Sequence, residues 1–157
     1  EGIWSDYIVE TLSRAGFHRY EVSNYALGNH ESYHNKVYWH YENYYGVGIG
    51  ATGKIDDELI SHSRSLTDYL QGKNTIYIEK ETIEDTMFNH LMMSLRLEEG
   101  LDLDEFKRRY HHAIEEVYKE ALSKNLDNHN LVIENNHLKT NHTLDLLNSI
   151  LLDFLPE

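Results

Sequence analysis

Apolar positions recur along this chain first with mixed periods and then with a sustained helical one. Near the start, Ile8, Val9 and Leu12 share one face of a short helix that Ser5 can cap and Gly16 can stop. The stretch FHRYEVS (17–23) alternates aromatic or apolar with polar side chains and predicts a strand, and 24–29 predicts a loop. A helical pattern occupies 31–45, opened by Glu31 or Ser32 and ended by Gly46. GVGIGATGKI then sets β-branched residues among glycines, and IDDELIS predicts a hairpin turning at Asp56-Asp57. Gly72 to Asn74 marks a boundary between two parts, 1–73 and 74–157.

Beyond that boundary the helical period dominates. Thr82 with Asp85 forms a capping-box signature before Ile83, Met87, Phe88, Leu91, Met92 and Leu95, and Gly100 stops that helix. Asp102 with Glu105 opens a second run carrying Phe106, Tyr110, Ile114, Val117 and Leu122. LVIENNHLKT predicts two short strands around Asn135-Asn136, because asparagine tolerates positive φ. A last helix over 141–154 aligns Leu144, Leu147, Ile150, Leu151 and Phe154. Helix, helix, hairpin, helix outlines an α+β, mostly helical, winged-helix-like part.

Charge and composition narrow what such a chain can do. A net charge of −13 opposes non-specific contact with nucleic acid or an anionic membrane, so a DNA-binding winged helix is disfavoured. No apolar run approaches the length of a membrane span. The chain has no cysteine, which excludes disulfides, thiolate metal sites and cysteine-ligated iron–sulfur clusters within it. It begins with Glu1 instead of Met, as a piece of a longer protein would. Eleven histidines and twelve tyrosines are a heavy load, and most of the histidines are expected to be solvated, His111-His112 among them.

Two stretches carry candidate chemistry. Gly48-Ile49-Gly50-Ala51-Thr52-Gly53 fits the spacing of a dinucleotide-binding loop, but that loop needs a strand before it and a helix after it. Here the order is reversed, so the glycines indicate close approach to the backbone by a ligand or by another strand. In HNKVYW, one helical turn brings His34 beside Tyr38 and Asn35 beside Trp39. An imidazole next to aromatic faces suits a flat apolar ligand with an iron centre. The alternative is a helix that packs Tyr38 and Trp39 into a core while Asn35 and His34 satisfy nearby backbone. His30 and His34 have metal-ligand spacing, but no third ligand accompanies them. Arg96 can clamp a carboxylate or pair with Glu98 or Glu99.

These residues carry a family resemblance. YEVSNYALGNHESYHNKVYWHYENYYGVGIGATG, MFNHLMMSLRLEEGLDLDEFKRRY and LKTNHTLDLLNSILLDFL resemble, in order, the late segments of the coproporphyrinogen III oxidase-like radical S-adenosylmethionine proteins, and His-Asn-x-x-Tyr-Trp resembles their haem-chaperone (HemW-type) branch. The resemblance implies the last β/α elements of a partial radical S-adenosylmethionine barrel over 1–73, and a HemN-type helical domain over 74–157. It implies that His34, Asn35, Tyr38 and Trp39 handle haem, and that Gly48, Gly50 and Ala51 lie towards S-adenosylmethionine. A 4Fe–4S cluster and S-adenosylmethionine would belong to the whole parent protein, in the cytoplasm, with haem or porphyrin and haem-receiving proteins as partners. The chain alone is then expected to lack catalysis, and barrel edges left uncovered in 1–73 favour a homodimer. A second reading within the family is oxidative decarboxylation of coproporphyrinogen III. The chain departs from the family pattern at Thr52, where a histidine is usual, at Tyr33, for arginine, and at Thr143, for glycine.

Overall fold

A computed structural model describes residues 2–141 and 146–155 of the chain, apart from the side chains of Ile3 and Ser5. The positions of Thr143 and Leu144 lie outside the described residues, and Ser5, expected to cap the first helix, lies within it, because that helix already begins at Gly2. The chain is mixed α and β. Helix α1 (Gly2–Arg14) leads into a two-stranded antiparallel pair, β1 (Phe17–Arg19) and β2 (Tyr25–Leu27). The expected strand over 17–23 therefore ends early. Tyr20 N–H donates to the Asn24 carbonyl and turns the chain, which makes part of the expected loop the second strand.

The residues of this turn join the two halves of the molecule. Glu21 forms a lone antiparallel bridge with Leu97, Val22 N–H donates to the Arg96 carbonyl, and Glu98 N–H donates to that of Tyr20. Helix α2 (Tyr33–Trp39) comes next, capped by the Ser32 hydroxyl accepting from Asn35 N–H. It is shorter than the 31–45 expected. A three-stranded antiparallel sheet succeeds it, built from β3 (Thr52–Ile55), β4 (Glu58–His62) and β5 (Ile76–Lys80), with α3 (Leu66–Leu70) between β4 and β5. The turn falls at Asp56-Asp57 as the sequence predicts, with Asp56 at φ 54°. β5 lies beyond residue 73 and pairs with β4 from Glu58↔Lys80 to His62↔Ile76, so this sheet runs across the expected boundary.

Helix α4 (Ile83–Ser94) starts at the predicted capping box: Thr82 Oγ1 accepts from Asp85 N–H, and the Asp85 carboxylate accepts from Thr82 N–H. The single long run expected after Asp102 is three helices, α5 (Leu103–Tyr110), α6 (Ile114–Val117) and α7 (Lys119–Asp127). His111, expected merely to be solvated, takes the left-handed conformation at φ 59° and ends α5. A short strand β6 (Leu101–Asp102) precedes α5. Strands β7 (Leu131–Glu134) and β8 (His137–Thr140) form the predicted hairpin, with Asn135 and Asn136 both at positive φ. β6 pairs with β8, giving the order β6-β8-β7. Helix α8 (Leu147–Leu151) and one 3₁₀ turn (Leu152–Phe154) close the described chain.

The core lies in this second half. Leu91, Leu95, Leu101, Phe106 and Leu138 are wholly excluded from solvent and pack with Ile114, Leu131, Leu147, Ile150 and Phe154. Among the described residues no helix is long and apolar enough to cross a membrane.

Candidate functional site

α2 has seven residues, and none of its side chains is fully buried. That is too little burial and too few turns for the helix to hold itself, so its ends must be fastened by other elements. The Ser32 cap fastens the first end. At the second, Tyr41 N–H donates to the Tyr38 carbonyl and Glu42 N–H to that of Val37. Those two bonds make a Schellman stop, whose left-handed position usually holds glycine. Here Tyr41 occupies it, at φ 54°.

On the face of α2, the ring of His34 meets that of Tyr38 edge-on, with centroids 4.7 Å apart. Tyr38 in turn meets Tyr44 at 4.4 Å. Tyr44 is fixed by a pair of 2.9 Å backbone hydrogen bonds with Lys54, so an aromatic ladder runs from the sheet to the imidazole. His34 is exposed at its outer end. Burial pushes the Tyr44 hydroxyl above the ordinary tyrosine pKa and keeps it neutral. Asn35 faces another way, donating from Nδ2 to the Tyr20 hydroxyl at 3.2 Å. The guanidinium of Arg96 lies 5.6 Å from the ring of Trp39, in place of a carboxylate partner. Trp39 Nε1 is buried without a hydrogen-bond partner among the described residues. Glu99 goes to His40 at 2.9 Å and Lys36 at 3.3 Å.

The glycine run lies on the connection from Tyr44 to β3. Gly50 N–H donates to the Ser63 carbonyl, and the Ala51 carbonyl accepts from His62 N–H. Ala51 N–H donates to the Gly48 carbonyl, closing a turn. The glycine with the tightest surroundings in this connection is Gly46, where a Cβ would sit 2.4 Å from the Thr52 carbonyl oxygen. Close strand approach accounts for Gly46. Gly48, Gly50 and Ala51 follow Tyr44 in the chain, and Gly50 and Ala51 are bonded to Ser63 and His62 beside them. Among the described residues no group of three or more His, Cys, Asp or Glu side chains is placed to hold a metal ion.

Sequence reasoning missed a buried polar cluster behind α2. The Tyr41 hydroxyl donates to Glu81 Oε2 at 2.6 Å, and Asn89 Nδ2 donates to Glu81 Oε1 at 2.6 Å. Lys54 Nζ lies 4.1 Å from the centre of the Tyr41 ring, and Arg109 Nη1 donates to the Tyr41 carbonyl at 3.1 Å. The Glu81 side opens into a cavity of about 310 Å³ lined by Asp56, Asp57, Thr86, Arg109 and Tyr110 as well. The Asp56 carbonyl, which accepts from Lys54 Nζ at 2.8 Å, and the aromatic ring together compensate an otherwise costly buried ammonium. Burial, and then the charge of Arg109, lower the Lys54 pKa from its ordinary value. A helical run of tyrosines gives no signal for such a cluster, because its members come from β3, α4, α5 and the segment before α4.

His90 packs into the same cluster, stacked on Tyr41 and Phe106 at 6.1 and 6.0 Å. Its Nδ1 has no partner among the described residues, and burial, reinforced by Arg109, lowers its pKa to about 3. The native state thus holds His90 neutral, whereas the unfolded chain takes up a proton near the ordinary value of 6.5. The stability this supplies is complete above pH 6.5 and drains away as pH falls from there towards 3. At pH 5 the loss is about 2 kcal/mol, which lowers the melting temperature by roughly 4–8 °C. His90→Phe is expected to remove this part of the acid slope, as measured by thermal melts between pH 7 and 5. An unchanged slope would show that other groups carry it.

With this geometry established, similarity to known proteins gives the class. Residues 82–142 match the HemN C-terminal domain family, the segment that contains α4 to β8. Residues 82–142 are therefore similar to a HemN C-terminal domain. A heme chaperone HemW from Lactococcus lactis is 31% identical over 126 residues, covering 76% of this chain and 32% of the relative. A heme chaperone HemW from Synechocystis sp. is 36% identical over 99 residues, covering 59% of this chain and 24% of the relative. The chain is thus a relative of the HemW heme chaperones, and it spans about a third or less of their length. Its fold is that of part of coproporphyrinogen III oxidase (HemN) from Escherichia coli, described as a radical SAM enzyme: the TM-score is 0.69 at 14% identity, over 95% of this chain and 39% of that one. The family resemblance read from the sequence holds.

Proposed function

We propose that this chain is the C-terminal region of a haem chaperone, which binds haem and passes it to haem-dependent proteins. In this reading residues 1–73 are the last elements of a partial barrel, and 74–157 are a small, winged-helix-like domain. The observation that carries it is the exposed imidazole of His34, held edge-on by Tyr38, which is itself backed by Tyr44. Haem here is cargo. An imidazole nitrogen can ligate its iron, and tyrosine and tryptophan rings offer apolar faces to the macrocycle. Edge contact with Tyr38 restricts the His34 rotamer before any ligand arrives, so less side-chain entropy is lost on binding. One protein ligand on an open surface supports reversible holding, as delivery to a second protein requires.

Asn35 and Trp39 serve the same helix differently, the first through Tyr20 and the second under Arg96. Gly48, Gly50 and Ala51 are proposed to face S-adenosylmethionine in the parent protein. A 4Fe–4S cluster finds no thiolate here, because the chain has no cysteine, so its ligands belong to the parent's other residues. Homodimer formation fits β5, an edge strand exposed along its whole length and carrying Ile76, Tyr77 and Ile78. In a hemin titration, His34→Ala is expected to weaken binding by about tenfold or more, about 1.4 kcal/mol. His112→Ala, at an exposed position beyond the end of α5, serves as the control that leaves the titration unchanged.

A further inference from the structure

We propose that Tyr41 is a positioning residue for the His34 helix, latching the last turn of α2 onto the segment similar to a HemN C-terminal domain. The proposal deepens the haem reading and rests on it for the role of His34, although the latch itself does not. Tyrosine in the left-handed region is unfavourable where glycine would be comfortable, so something must hold it there. Four side chains do so directly, and a fifth acts through one of them. Lys54 Nζ and the Arg109 guanidinium lie 4.1 and 5.3 Å from the ring centre, His90 stacks at 6.1 Å, and the hydroxyl reaches Glu81, which Asn89 also holds.

The backbone is gripped as well. Arg109 Nη1 donates to the Tyr41 carbonyl, and Ser94 Oγ donates to the Trp39 carbonyl at 3.2 Å. Both donors stand in helices of that HemN-like segment, α5 and α4, so the end of α2 takes its direction from it. His34 stands five residues before Trp39 on a rigid rod rising about 1.5 Å per residue. Loosening the far end of such a rod displaces the imidazole at the near end. The Ser32 cap, the Asn35–Tyr20 bond and the ladder from Tyr44 then have to orient it.

Tyr41→Gly separates backbone from side chain, because glycine accepts the left-handed position while losing the ring and the hydroxyl. Hydrogen exchange on the intact chain is the direct test. Amides of residues 36–42 are expected to exchange about tenfold faster in Tyr41→Gly, while the buried amides around Leu91 in α4 keep their wild-type rates. Arg109→Met should loosen the same amides, and Tyr41→Gly with Arg109→Met should be worse than either single change but less than their sum, since both lose the contact of guanidinium with ring while Tyr41→Gly leaves the Arg109 bond to the backbone carbonyl at position 41. Tyr41→Phe keeps the ring between its cations and loses only the bond to Glu81, so it should recover most of the protection. Hemin added to Tyr41→Gly should give a weakened Soret band resembling that of His34→Ala, and Tyr41→Phe should restore it. Unchanged exchange in α2, or equal acceleration in α2 and α4, would overturn the latch. Faster α2 exchange alongside a hemin titration that ignores His34→Ala would uphold the latch and overturn the haem role of His34.

Discussion

Phe106→Ala is expected to cost about 3–5 kcal/mol, enough to remove much of the stability of a small domain. Phe106 is wholly buried, and its ring packs on Tyr110 at 4.7 Å and His90 at 6.0 Å. Removing it leaves a void between α4 and α5 that neither helix can close alone. α5 is held at its start by Asp102, whose carboxylate accepts from the N–H groups of Asp104 and Glu105. Tyr110, at its end, donates its hydroxyl to the Thr86 carbonyl at 3.0 Å. Pinned at both ends, the helix cannot collapse into the space, which puts the cost at the upper part of the range. Urea denaturation of the variant measures it, and Phe106→Leu should recover a large share. A loss below about 1 kcal/mol would mean that this core repacks freely, contrary to the close packing expected of protein interiors.

Gly100→Ala is expected to cost about 2–5 kcal/mol, from two causes that add. Gly100 has φ 77°, which an alanine adopts at a cost of about 1–2 kcal/mol. A Cβ there would also lie 2.3 Å from the Leu138 carbonyl oxygen and 2.8 Å from Lys139 Cγ. The second contact can yield by a rotation of the lysine. The first cannot, since Leu138 is the β8 residue that pairs with Leu101 of β6, and relieving it would open that ladder at a further cost of about 1–3 kcal/mol. Gly100→Asn distinguishes the causes. Asparagine tolerates the dihedral angle but brings the same Cβ, so it should be nearly as destabilised as Gly100→Ala. Full recovery in Gly100→Asn would assign the effect to the backbone angle alone.

Local grammar made much of the second half legible. Thr82 with Asp85, Asp102 before α5, and Asn135-Asn136 in the hairpin each act within a few residues, and the helical period of Met87, Leu91 and Leu95 marks the buried face of α4. Where the reading failed, distant residues decided the outcome. α2 ends at Trp39 and not before Gly46, because Tyr41 is held by Glu81, 40 residues away, and Arg109, 68 residues away. No local period carries that information. The run from Phe106 to Leu122 breaks at His111, a residue type that tolerates left-handed geometry without announcing it. Within the candidate site, the His34–Tyr38 pair follows from helical spacing. Tyr44 and Tyr20, which support Tyr38 and Asn35, belong to neighbouring segments and became visible only in three dimensions.

The most direct test of the haem assignment is a hemin titration of the wild-type chain and of His34→Ala, read at the Soret band, with melts to show that both are equally folded. The expected result is a saturable band in the wild type that is weakened about tenfold or more in affinity by the substitution. Identical titrations from two equally folded proteins would contradict it.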